Sequence, residues 1–146
     1  MLRCSFPQLV RRIGAFVAGA LVAACEGPTG TGEGDARFDG AWRYEAQISG
    51  STAQLVGQLQ LDGAETGSIE GSFSAELVEM SGQRSPVSGL VGGSVVGSGV
   101  ARLEVTLAGG QIRTHLSQLR GDSLVGDWVQ SGSAPASGTF RAARVR

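Results

Sequence analysis

From residue 38 to the C-terminus the chain alternates apolar and polar side chains with a period of two, and short glycine-bearing segments interrupt the alternation at regular intervals. Successive side chains of a β-strand point to opposite faces, so this pattern describes half-buried strands rather than helices. Trp42, Tyr44, Ala46 and Ile48 alternate with Arg43, Glu45 and Gln47; Leu103, Val105 and Leu107 alternate with Arg102, Glu104 and Thr106. No long window keeps helical spacing. Eight strands are predicted, at about 40–49, 53–62, 67–79, 85–95, 99–108, 111–119, 123–131 and 137–145. Asp62-Gly63, Ser81-Gly82, Gly109-Gly110 and Arg120-Gly121-Asp122 supply turns between them, because glycine adopts the positive φ that tight hairpins need. Connections this short join only antiparallel neighbours. The chain is therefore expected to be all-β, an eight-stranded antiparallel up-and-down meander. Closure into a β-barrel is its economical form, because closure removes both exposed edges.

The expected inward face carries Trp42, Tyr44, Phe73, Trp128 and Phe140, interspersed with Gly57, Gly71, Gly89, Gly93 and Gly126. A barrel of eight strands is just wide enough to be filled by side chains or to hold one small ligand. Both a solid core and a lumen that takes a small apolar ligand remain open on this pattern.

Phe38-Asp39-Gly40-Ala41-Trp42 stands at the start of the first strand, and Arg141 and Arg144 lie in the last. This arrangement resembles the calycin pattern of lipocalins and avidin-like proteins, in which Gly-x-Trp opens the first strand and a basic residue of the last strand packs across the Trp ring. The resemblance implies that Gly40, Trp42 and either Arg141 or Arg144 close one end of the barrel, and that the other end admits a ligand. The chain departs from the lipocalin pattern in lacking the further conserved blocks and any disulfide. It departs from the avidin pattern in lacking the several Trp residues of a biotin site.

The N-terminus has a different character. Arg3, Arg11 and Arg12 precede an apolar run from Ile13 to Ala24, too short to span a bilayer as a mature helix and organised as a secretory signal peptide. Val22-Ala23-Ala24-Cys25 resembles the lipobox of bacterial lipoproteins, which implies cleavage after Ala24 and lipid attachment at Cys25. The expected division is a signal peptide over residues 1–24, a lipid-anchored flexible linker over 25–37, rich in glycine and without large apolar side chains, and the barrel over 38–146. The resemblance places the protein in the cell envelope, facing the periplasm or the exterior, on the outer membrane in a host with two membranes. Acyl chains of the palmitate class would hold it there.

Cleavage also changes the charge. The whole chain is near neutral at −1, and removing the first 24 residues leaves nine arginines against thirteen acids. An acidic domain without a basic stripe excludes nucleic acid as a partner. The chain has no Lys, which excludes a Walker-type phosphate loop and Schiff-base chemistry. The single histidine, His115, shares its parity with Arg113 and Ser117 and lies opposite Ile112 and Leu116, so it is expected to face solvent. One surface histidine and no free cysteine argue against a metal centre or a His-dependent triad. Glu70 and Glu76 fall on the polar face, and Glu79 lies at a strand end. Arg120-Gly121-Asp122 spells an adhesion tripeptide but is explained as a hairpin turn.

No catalytic residue and no cofactor is expected. The sequence reads as a non-catalytic binding module for a small apolar ligand or an envelope protein. The alternative is a structural or inhibitor-type envelope lipoprotein acting through its outer surface and loops.

Overall fold

The computed structural model describes residues 34–146. The expectations for residues 1–24 and for Cys25 lie outside the described residues. Within them the chain forms β1 (Gly40–Ile48), β2 (Gln54–Asp62), β3 (Ser68–Val78), β4 (Arg84–Gly97), β5 (Val100–Leu107), β6 (Ile112–Arg120), β7 (Ser123–Ser131) and β8 (Ala136–Arg144). Each strand pairs antiparallel with the next, and β8 returns to β1 with Arg144 opposite Trp42 and Phe140 opposite Ala46. The fold is the closed all-β meander that the alternation predicts.

Odd-numbered strands run away from one end of the barrel and even-numbered strands run back. The loops at residues 49–53, 79–83, 108–111 and 132–135 therefore cluster at one end, called the mouth here. The opposite end is plugged by two short 3-10 turns, Ala36–Phe38 and Ala64–Thr66. The tether expected from the sequence thus ends earlier than residue 37. Asp35 donates its backbone N–H to the Ala64 carbonyl at 2.8 Å, and its carboxylate accepts the Gly99 N–H at 3.2 Å. Composition missed this because residues 34–37 are held by backbone and carboxylate hydrogen bonds, not by apolar burial. The Arg37 guanidinium and the Arg37 and Gly99 amides lower the Asp35 pKa to about 2, against the smaller opposing effect of its burial.

The plugged end is latched by Trp42. Its indole N–H donates to the Phe38 carbonyl at 2.9 Å, and the Arg144 guanidinium lies over the ring at 4.2 Å. Arg144 also donates to the backbone carbonyls of Asp39, at 2.7 Å, and of Arg37. Gly40 makes this possible in two ways. Its φ of 123° is open to glycine, and a Cβ there would sit 2.9 Å from Arg144 Nη1. Arg141, the other candidate from the resemblance, does not take part. It lies one parity out of step with Arg144, so its side chain is exposed on the outer wall and reaches only Ser123 Oγ at 3.4 Å.

Above this plug the barrel interior holds Leu59, Leu61, Ile69, Val91, Leu103, Val105 and Leu124, all buried. Sharp curvature is accommodated by inward glycines. At Gly138 a Cβ would fall 1.8 Å from the Gln47 carbonyl oxygen of β1 and 3.0 Å from the Trp128 indole nitrogen, so only a bare Cα lets β8 approach β1 and leaves Trp128 its place.

Candidate functional site

Strand β6 breaks the hydrophobic order of the barrel. The side chains the sequence assigns to solvent are inside: His115 is 2% exposed, Arg113 5% and Ser117 0%. The apolar residues assigned to the interior are outside, with Ile112 42% and Leu116 57% exposed. Hairpin register imposes this. Arg120 pairs with Ser123 across a two-residue turn, which sets His115 opposite Trp128 and Ser117 opposite Gly126. Directly opposed residues of a ladder share a face, so burying Trp128 carries His115 inward whatever its polarity. His115 is likewise opposite the buried Leu103 of β5. The signal lay in the sequence, because the short Gly121-Asp122 turn ties β6 parity to that of β7.

Arg113 enters from the mouth side of β6. It donates through Nη2 to Gln130 Oε1 at 2.7 Å, and its guanidinium lies 4.6 Å from the Trp128 ring and 5.9 Å from the Phe73 ring. Gln130 in turn donates to Gln111 Oε1 at 3.0 Å and to the Ala134 carbonyl at 2.9 Å, so loops at the mouth fix the amide that holds Arg113. One layer deeper, Tyr44 is stacked with Phe140 at 5.7 Å and meets Phe73 edge-on at 5.1 Å; His115 meets Phe140 edge-on at 5.0 Å. The Tyr44 hydroxyl and His115 Nε2 are 3.0 Å apart.

Electrostatics fix the protonation states. Burial, reinforced by the charge of Arg113, pushes the His115 imidazole down to about 3, so it is neutral at physiological pH. Burial raises the Tyr44 phenol well above its ordinary range, with Arg113 partly offsetting the rise. Tyr44 therefore keeps its proton, and its hydroxyl shares a hydrogen bond with Nε2 of the neutral His115 imidazole. Burial lowers the Arg113 pKa from its ordinary 12.5, opposed by the Tyr44 oxygen.

Several of these groups have unmet hydrogen-bonding capacity. Arg113 Nε and Nη1, His115 Nδ1, Ser117 Oγ and Trp128 Nε1 are buried and find no partner among the described residues. Native proteins pair nearly all such atoms, and each orphan costs about 1–3 kcal/mol. Three of these five atoms belong to Arg113 and Trp128 and can only donate. No salt bridge to Arg113 exists among the described residues.

The other sequence candidates separate cleanly. Tyr44, Phe73 and Phe140 pack together in the interior and Trp128 is joined to them through the Arg113 guanidinium, whereas Trp42 belongs to the latch at the plugged end. Glu79 is exposed at the mouth, where it lines a cleft of about 400 Å³ together with Ile48, Ala53, Leu77 and Met80. Asp122 accepts from Arg146 at 2.6 Å in the turn that the tripeptide occupies. Among the described residues no cluster of His, Cys, Asp and Glu is arranged to hold a metal ion. Sequence reasoning missed Arg113, His115, Ser117 and Gln130 as interior groups.

No protein family and no curated protein matches the chain. Solved structures do. EF1p2_mFAP2b bound to DFHBI superposes with a TM-score of 0.64 at 12% identity, over 79% of this chain and 99% of that one. A de novo designed fluorescence-activating β-barrel gives 0.59 at 20% identity, over 75% and 94%. A redesigned β-barrel gives 0.61 at 13% identity, over 78% and 96%. At these identities the likeness is one of fold.

Proposed function

We propose that the chain is a non-catalytic binding module whose lumen takes one small molecule, and that it works in the cell envelope, lipid-anchored through Cys25. The observation that carries the reading is the row of buried, unpartnered polar atoms on β6 and Trp128, facing an aromatic cluster. A barrel selected only for stability would have apolar side chains on that wall. Polar groups kept buried at a cost, inside a scaffold otherwise consistent at every level, are expected at functional sites. The ligand has both an apolar body, for Tyr44, Phe73 and Phe140, and polar atoms, for β6. This revises the purely apolar ligand of the sequence expectation. The mouth between residues 49–53 and 79–83 is the entrance, since its cleft reaches the inward side chains Ile48 and Leu77. That barrels of similar fold are bound to DFHBI supports the capacity of such a scaffold to hold a ligand.

The test is native mass spectrometry of the full chain extracted gently from its own host. A stoichiometric small-molecule adduct that leaves on unfolding is expected. A chain that carries nothing noncovalent, and whose β6 and β7 amide resonances ignore a panel of small aromatic and aliphatic compounds, refutes the lumen reading.

A further inference from the structure

Resting on that lumen reading, we infer that the ligand is a small monoanionic organic oxyacid, a carboxylate or its close equivalent, whose anionic oxygens meet Arg113 and Trp128 while its apolar body lies against Tyr44, Phe73 and Phe140. Three observations converge. Arg113 is almost fully buried and its charge has no acidic partner among the described residues; the nearest acids by register, Glu104 and Asp127, are on the outer face. A buried cation normally has a counter-ion, because burial without one is far costlier than burial with one. Among the described residues no neighbouring strand supplies that counter-ion.

The second observation is the polarity of the orphaned atoms. Arg113 Nε, Arg113 Nη1 and Trp128 Nε1 are obligate donors. A wall of donors selects a ligand rich in acceptors, and an ammonium cation would be repelled by Arg113. The third is orientation. Gln130, itself held by Gln111 and the Ala134 carbonyl, takes only Nη2, and the Trp128 ring stacks against the guanidinium face. The guanidinium is thereby fixed with its remaining N–H groups free, which lowers the ordering cost of anion capture. One positive charge calls for one negative charge, and a barrel of eight strands admits a compact body only.

Two matched probe pairs test this on the full chain in detergent: benzoate against benzamide, and hexanoate against hexanamide, followed by calorimetry and by Trp fluorescence. Each acid is expected to bind at least tenfold tighter than its amide. Arg113→Gln is expected to abolish that preference, bringing acid binding down to the level of the matched amide. Trp128→Phe, which removes the indole N–H and keeps an aromatic ring, is expected to weaken the acids several-fold and the amides little; it keeps the test decisive if Arg113→Gln does not fold. Equal binding of acid and amide to the wild type overturns the anion inference and leaves the lumen reading standing. Acid binding that survives Arg113→Gln unchanged places the anion elsewhere and overturns it as well. If none of the four probes binds and the chain extracted from its host carries no adduct, the lumen reading and this inference fall together. Acetate binding as tightly as benzoate would show a bare anion site and overturn the organic body.

Discussion

Replacing Arg144 by Ala should unlatch the plugged end of the barrel, and the size of the effect follows from what the side chain touches. The guanidinium lies 4.2 Å from the Trp42 ring, an interaction of about 0.5–2 kcal/mol. It also donates to the Asp39 carbonyl at 2.7 Å and to the Arg37 carbonyl. Hydrogen bonds from charged groups contribute about 1.5–3 kcal/mol when desolvated, and this guanidinium is half-buried, so about 1 kcal/mol each is appropriate. The expected loss is about 3 kcal/mol, a fall in melting temperature on the order of 10 °C for a domain of this size. Arg141→Ala provides the control. Its side chain is exposed and makes one long contact to Ser123, so it should stay within about 0.5 kcal/mol of the wild type. Arg144→Lys keeps the charge but loses the planar fork, and should recover only part of the loss. Urea unfolding of the three variants measures all of this. Equal losses for Arg144→Ala and Arg141→Ala would refute the latch, as would an Arg144→Ala midpoint indistinguishable from wild type.

Two further outcomes concern His115 and Cys25. The folded pKa of His115, about 3, lies below its ordinary 6.5, so the unfolded chain binds a proton that the folded one refuses. Its contribution is therefore fully present above pH 6.5 and is lost as pH falls, at up to about 1.4 kcal/mol per pH unit. Between pH 6.5 and 5 the lowered carboxyls of Asp35 and Asp122 do not titrate, so His115→Phe should flatten the stability profile there; parallel profiles for variant and wild type would contradict the buried neutral imidazole. For the anchor, Cys25→Ser should move the protein from the membrane to the soluble fraction of its host, and undiminished membrane association would defeat lipidation at that residue.

Much of the fold was legible because strand periodicity and turn chemistry are local. Seven strands can be assigned their inward face from side-chain type alone, and Gly63, Gly82, Gly110 and Gly121 mark hairpins at positive φ where the sequence places turns. The aromatic part of the candidate site was legible for the same reason. Its polar part was not, because hydrophobicity decides parity only where a strand obeys it. In β6, Ile112 and Leu116 outweigh Arg113, His115 and Ser117 on any local scale, yet the register with Trp128 overrules them. Leu119, which shares the parity of His115 and is opposite Leu124, was the one apolar residue of that strand reporting the true face.

The sequence by itself determined that this chain makes strands, how many, and that short glycine turns join them as antiparallel neighbours, since these properties reside in consecutive residues. Its choice of Arg144 over Arg141, the ordering of Asp35 by Ala64 and Gly99, and the gathering of Arg113, His115 and Trp128 into one wall were decided only in three dimensions. Each depends on the register around a closed ring. Once Trp42, Leu103, Trp128 and Phe140 are buried on the other strands, closure leaves β6 a single face to turn inward, and that face is the polar one.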